Sequence, residues 1–284
     1  MKINVAKSAG FCFGVKRALK IAFETIRSGA EVEMLGDIVH NEEVVREIEK
    51  TGIKKIKHLT KGNSKVLLIR AHGASKNTIE KAHSLGYKIV DATCPRVKDI
   101  HKIVIEMDKK GYTTIVIGDK KHDEVYGIIG QIKRKALVID TLEHIPLKAI
   151  QKINKAAVLV QSTQEQEKVI TIVNALKSHI NELKFFNTIC KPTRIKQKEI
   201  KCMPLQNDVM IIIGSRTSAN TKRLYGISKS LNKRSYWVQS RAEIKPRWLK
   251  KAKSVGVTSG SSTPDSTTND IIHYIKQLSS FQGN

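Results

Sequence analysis

Three of the chain's four cysteines recur at comparable intervals. Cys12, Cys94 and Cys190 lie in "AGFCFGV", "DATCPRV" and "NTICKPT", separated by 82 and then 96 residues. Each follows a strand-like segment and precedes a helical pattern. None belongs to a C-x-x-C pair, which disfavours zinc ribbons, thioredoxin-type sites and ferredoxin-type runs. Four cysteines are too few for a disulfide scaffold in 284 residues. Three separated thiolates can instead hold a cuboidal iron–sulfur cluster by three corners. The fourth iron is then open to a substrate oxygen as a Lewis acid. A single cysteine such as Cys12 would ordinarily read as a small buried hydrophobe; the recurrence is what favours ligation.

A second set of polar residues falls at strand ends. His40 closes "GDIVH" and His72 closes "LLIRAH"; His122 and Glu124 lie in the loop after "TTIVIGD". Ser162 and Thr163 close "AAVLVQST", Ser218 and Asn220 open a helix after "VMIIIG", and Ser262 follows "VGVT". Each has a plain explanation alone: a solvated loop histidine, an N-cap serine, or a carboxylate complementing a helix dipole. Together, histidines, hydroxyls, an amide and helix N-termini make a receptor for phosphate or diphosphate. A nearby carboxylic acid can supply protons. The combined chemistry is delivery of electrons and protons to a small phosphorylated substrate.

The elements that must position these groups alternate between strand and helix. Strand-like runs are "KINVAK" (2 to 7), "EVEMLGDIVH" (31 to 40), "KVLLIRAHG" (65 to 73), "YKIVDATC" (87 to 94) and "TTIVIGD" (113 to 119). They continue with "KALVID" (135 to 140), "AAVLVQST" (156 to 163), "VMIIIGS" (209 to 215), "YWVQS" (236 to 240) and "SVGVTSG" (254 to 260). Between them, Val15, Ala18, Leu19, Ala22, Phe23 and Ile26 recur at helical spacing before Gly29. A short helix is expected around Val44, Val45 and Ile48. β-branched runs separated by helices predict an α/β fold with mostly parallel sheets buried on both faces. The cysteine period predicts three similar α/β units, 13–95, 96–191 and 192–284, with residues 1–12 a strand completing one of them. Ligands gather at the carboxyl ends of strands in such sheets.

Charge is the extreme compositional feature: 51 basic against 26 acidic residues give a net charge of +25. The lysines are scattered through nearly every helix, and no nucleic-acid recognition motif accompanies them. A basic nucleic-acid-binding module is therefore the rival reading, and not the preferred one. The N-terminus lacks a long apolar region and the apolar runs are strand-length, so a soluble cytoplasmic protein without a membrane partner is expected.

The stretches "GFCFGV", "VHN", "AHG", "DATCP", "HDEVYGIIGQ", "QST", "GSRTSANTKRL" and "VGVTSGSSTPD", spanning residues 10 to 265 in order, resemble the LytB-type 4-hydroxy-3-methylbut-2-enyl diphosphate reductases of non-mevalonate isoprenoid synthesis. The resemblance implies three α/β units in a pseudo-threefold trefoil around one 4Fe–4S cluster held by Cys12, Cys94 and Cys190. It implies that His40, His72, His122, Ser218, Ala219, Asn220 and Ser262 grip the diphosphate. Glu124 would donate protons, and Ser162 would stand where the family usually has a threonine. Electrons would come from a ferredoxin or flavodoxin.

The chain departs from the family pattern at several points. Gly-His-Pro-Glu becomes "KHDE", so Lys121 and Asp123 replace the glycine and the proline. In "CKPTRIKQ", Ile195 and Lys196 replace an Asn-Arg pair, and Ala219 replaces a frequent serine. These departures motivate a third reading, a cluster-bearing sensor or scaffold without turnover.

Overall fold

The computed structural model describes residues 1–280. Strand β1 (Lys2–Val5) leads to helix α1 (Phe13–Arg27), followed by β2 (Val32–Leu35), α2 (Glu42–Lys50), β3 (Lys54–Ile56), β4 (Val66–Ile69), α3 (Lys76–Ser84) and β5 (Lys88–Asp91). Next come α4 (Pro95–Lys109), β6 (Thr113–Ile117), α5 (Asp123–Ile129), β7 (Leu137–Ile139), α6 (Leu147–Ile150), β8 (Lys155–Val160), α7 (Gln166–Lys177) and β9 (Glu182–Phe185). The chain continues through α8 (Lys191–Gln206), β10 (Val209–Ile213), α9 (Ala219–Leu231), β11 (Ser235–Val238), β12 (Ser254–Ser259) and α10 (Asp265–Ser280).

Among the described residues the strands form three four-stranded sheets, ordered β3-β2-β4-β5, β7-β6-β8-β9 and β11-β10-β12-β1. Every pairing within them is parallel. The α/β class with parallel sheets, expected from the β-branched runs, is what the chain adopts. The first two sheets have one winding: the second strand in sequence lies at one edge and the fourth at the other. The third sheet repeats it with β1 in the fourth place, paired to β12 in the register Lys2 to Ser254 and Val5 to Val257. The N-terminal strand thus completes the last sheet. By contact density the chain divides into two compact units, one of residues 1–15, 40–44 and 191–284, the other of 16–39 and 45–190. The former carries the third sheet and the latter the first two.

Burial on both faces explains the near-continuous apolar strands. In the second sheet, Ile115, Ile117, Val158 and Val160 pack with Val169, Ile172, Val173 and Leu176 of α7. Val116, Ala157 and Leu159, pointing the other way, pack with α4 and α5 through Ile100, Val104, Val125 and Ile128. The third sheet does the same: Ile211, Ile213, Val255 and Val257 meet Ile271 and Ile275 of α10, while Met210 and Ile212 meet Ile200, Leu224 and Ile227. Full burial of each such side chain contributes on the order of 2 kcal/mol.

Two edge strands, β3 and β9, were not expected from the sequence. Both are polar, "KKI" and "ELKF", and largely exposed. Conversely the run 31–40 is strand only over Val32–Leu35. Gly36, at φ +79°, turns the chain out of the sheet. Among the described residues no helix is long and apolar enough to cross a membrane.

Candidate functional site

All three spaced cysteines occupy one structural position. Each follows the edge strand that is fourth in its sheet (β1, β5 or β9) and immediately or nearly precedes a helix (α1, α4 or α8). Each backbone N–H donates to the carbonyl two residues beyond the end of the neighbouring strand. Cys12 bonds to Ser261 after β12 (3.0 Å), Cys94 to Ala71 after β4 (2.9 Å) and Cys190 to Ser162 after β8 (3.0 Å). The three are half-buried, whereas Cys202 is exposed. Helix N-termini favour negative charge, which suits the anionic sulfur that binds a metal. Cys94 is the N-cap of α4 without using its side chain as a cap. Thiolate ligands suit an iron–sulfur cluster and not a hard cation.

A second offset repeats in the three sheets. His40, His122 and Ser218 lie five residues beyond the ends of β2, β6 and β10, the first strands of their sheets. A glycine follows each of those strands: Gly36, Gly118 and Gly214. Asn41, His122 and Ser218 cap the helices that come next. Asn41 Oδ1 accepts from the N–H groups of Glu43 and Val44, both at 3.1 Å. His122 Nδ1 accepts from Glu124 N at 3.1 Å, and Ser218 Oγ from Thr221 N at 3.3 Å. These caps stand at the point where the winding of each sheet reverses, the usual ligand crevice of such folds.

In the compact unit bearing the first two sheets, the expected residues form one connected row. The Cys190 N–H bonds the Ser162 carbonyl. Ser162 in turn donates from its own N–H to Glu124 Oε1 at 2.5 Å and from Oγ to Glu124 Oε2 at 2.7 Å. Glu124 is 2% exposed, so its carboxylate is desolvated and both oxygens are engaged. His122 caps the turn that carries it, and the His122 ring meets His72 edge to face with centroids 5.5 Å apart. His72 follows Ala71, whose carbonyl holds the Cys94 N–H. Arg17 Nη1 fixes the preceding peptide by donating to Thr93 O at 3.1 Å.

This row packs closely because two glycines permit it. A Cβ on Gly127 in α5 would lie 3.2 Å from the His72 carbonyl oxygen, and one on Gly73 would meet the His101 ring at 2.8 Å. Burial of the His101 ring lowers its pKa to about 4, against the opposing pull of Asp91 and with help from Lys98.

The other compact unit gathers the remaining residues. Ser261, which accepts from Cys12, receives a longer bond from Asn220 Nδ2 at 3.4 Å. Ser262 Oγ donates to the His40 carbonyl at 2.9 Å. Ala219, first residue of α9, stands half-buried between Ser218 and Asn220, which are 5% and 4% exposed. Thr267 binds Glu43, and Ser215 and Thr217 bind Glu42, so the start of α2 is tied down at four points.

Lys196 was not expected to matter beyond its departure from a pattern. It is 2% exposed. Its ammonium donates to the carbonyls of Ser8, Gly10 and Ser259, bracing the turn before Cys12. Burial holds its pKa down to about 8, opposed by Cys12, Glu199 and Asp265. The same turn is fixed by Gly10, whose N–H donates to Ser259 Oγ at 2.6 Å. Of the other departures, Ile195 is exposed, and Asp123 pairs with Arg70 at 2.7 Å. No sequence signal pointed to Arg17, Arg70 or His101, because their partners lie far away in the chain.

The model of the family described as LytB protein matches residues 3–276. A 4-hydroxy-3-methylbut-2-enyl diphosphate reductase of Geotalea uraniireducens (strain Rf4) is 37% identical over 278 residues, covering 98% of each chain. A solved structure titled as that reductase, the terminal enzyme of the non-mevalonate pathway, is 36% identical with a TM-score of 0.71 and covers 98% of this chain and 100% of its own. The Plasmodium falciparum reductase structure is 27% identical with a TM-score of 0.87, covering 96% and 87%.

Proposed function

This chain belongs to the LytB protein family, and from that premise we propose that it removes the hydroxyl group of 4-hydroxy-3-methylbut-2-enyl diphosphate reductively. The products are isopentenyl and dimethylallyl diphosphates, the last step of the non-mevalonate route. Cys12, Cys94 and Cys190 would hold a 4Fe–4S cluster, one per chain; when bound, it would relay two electrons, one at a time, from an external donor and supply a Lewis-acidic iron. Residues 13–95, 96–191 and 192–284, the last completed by 1–12, are the three units of this reading.

The residues of the chain do the rest. His40, His72, His122, Ser218, Asn220 and Ser262, with the backbone at Ala219, bind the diphosphate; Ser218, Ala219 and Asn220 open α9, and a helix N-terminus favours negative charge. Glu124 holds the proton that leaves with the hydroxyl as water. Ser162 fixes the Glu124 carboxyl by two donors, so the acid has one orientation. A second proton enters at either end of the allylic unit, which accounts for two products. The electron donor is an acidic ferredoxin or flavodoxin, drawn to a surface of net charge +25, and the setting is cytoplasmic.

The observation that carries this reading is the shared position of the three cysteines, each hung from the carbonyl two residues past its neighbouring strand. The test is an anaerobic assay of reconstituted protein with a strong chemical reductant and the diphosphate substrate. Turnover to both products is expected. Protein that carries its full iron and sulfide yet forms no product would sink the proposal and favour a sensor.

A further inference from the structure

The turn that presents His122 and Glu124 is intrinsically weak. Helix α5 has seven residues, too few to persist without tertiary support, and it follows a lysine-rich loop, "DKKH". Its first residue is Asp123. The Asp123 carboxylate meets the guanidinium of Arg70 at 2.7 Å, with the two side chains 29% and 19% exposed. Arg70 is the first residue after β4, two before His72. Its guanidinium lies across Gly36, where a Cβ would come within 2.6 Å of Nη1. The ion pair therefore links the end of β4 to the head of α5, beside His122 in the chain and two residues before His72.

We propose that Arg70 and Asp123 form a clamp that positions His122 and Glu124 against His72. This rests on the reading of Glu124 as the proton donor. Both clamp members are positioning residues that act through α5. The pair is partly shielded from solvent, so it is less screened than an exposed one. An aspartate in the first turn also complements the helix dipole.

The same restraint can be made in another way, which gives the test. Proline is well tolerated at the first helical position, where its fixed φ matches the helix. It requires an extended residue before it. His122 has φ −85° and ψ 137°, within that requirement. Asp123→Pro therefore replaces an electrostatic tether by a ring that fixes the backbone angle at the head of α5, whereas Asp123→Ala removes the tether alone.

Amide hydrogen exchange of the α5 N-terminal turn and steady-state kinetics should be measured on Asp123→Ala, Asp123→Pro and Arg70→Ala, and on Arg70→Ala combined with Asp123→Pro. The expected result is roughly tenfold faster exchange in both alanine variants, with protection recovered in the proline variant. Arg70→Ala should then have little further effect in the proline background. Turnover should follow exchange, with kcat down about ten- to a hundredfold in the alanine variants and KM changed less. Unchanged exchange in Asp123→Ala, or proline failing to recover it, overturns the clamp. Exchange that rises and recovers while kcat stays constant overturns the positioning role of the clamp and leaves the Glu124 assignment to Glu124→Gln.

Discussion

The Ser162 N–H and hydroxyl each donate to a different oxygen of the Glu124 carboxylate, at 2.5 and 2.7 Å. An acid held this way cannot rotate to present another geometry. Ser162→Ala keeps the backbone donor and loses the other, so kcat should fall about tenfold, equivalent to roughly 1.4 kcal/mol. Ser162→Thr retains the hydroxyl and should stay within a few-fold of the parent. Glu124→Gln cannot release a proton and should lose on the order of a hundredfold or more in kcat, with circular dichroism unchanged. Anaerobic turnover measurements are the check, and a near-normal Glu124→Gln rate would dismiss the acid.

Cys94→Ser should remove a corner ligand and most of the bound iron. Its N–H bond to Ala71 and its place at the head of α4 survive the change, so the fold should persist. Iron and sulfide assays after anaerobic reconstitution are the check, and parental metal content would exclude Cys94 as a ligand.

Gly10 has φ +93°, and a Cβ there would fall 1.9 Å from Asp265 Oδ1. Gly10→Ala should thus cost about 1–3 kcal/mol from backbone strain alone, with the melting temperature lower by several degrees. Cluster loading should suffer too, because the turn leads directly to Cys12. An unchanged thermal melt would mean that the turn adapts freely.

His101 titrates near 6.5 when unfolded and near 4 when folded, because its ring is buried. Between those values the unfolded chain binds more protons, so this group contributes stability that is lost as pH falls through the window. Metal-free His101→Gln should show a shallower loss of denaturation midpoint between about pH 6.5 and 4 than the parent. Parallel profiles for the two proteins would contradict the buried, neutral ring.

The sequence pattern carried the sheets well where strands are central and apolar, as in "VMIII", fully buried in β10. It failed at β3 and β9, whose pairing on one side only leaves polar residues tolerated. The extent of the run 31–40 was misread because Gly36 breaks the strand through a backbone angle, which apolar periodicity does not report. The candidate residues at strand ends could be singled out because in parallel sheets the loops after the strands lie at one end of each sheet. The supporting shell was not. Arg70 meets Asp123 across 53 residues, and Lys196 meets Ser8 across 188. Such pairs leave no local trace. Asp123 looked like a lost proline and proves to be half of an ion pair.

The pairing of β1 with β12 joins residues 252 positions apart, Lys2 and Ser254. At about 5–20 residues per second, a ribosome makes the first strand roughly a quarter of a minute or more before its neighbour exists. Throughout that interval Cys12 has neither its sheet nor the Ser261 carbonyl that will hold it. The turn that presents this sulfur therefore forms only after β12 has been made, and translation that stops short of β12 leaves β1 without its template.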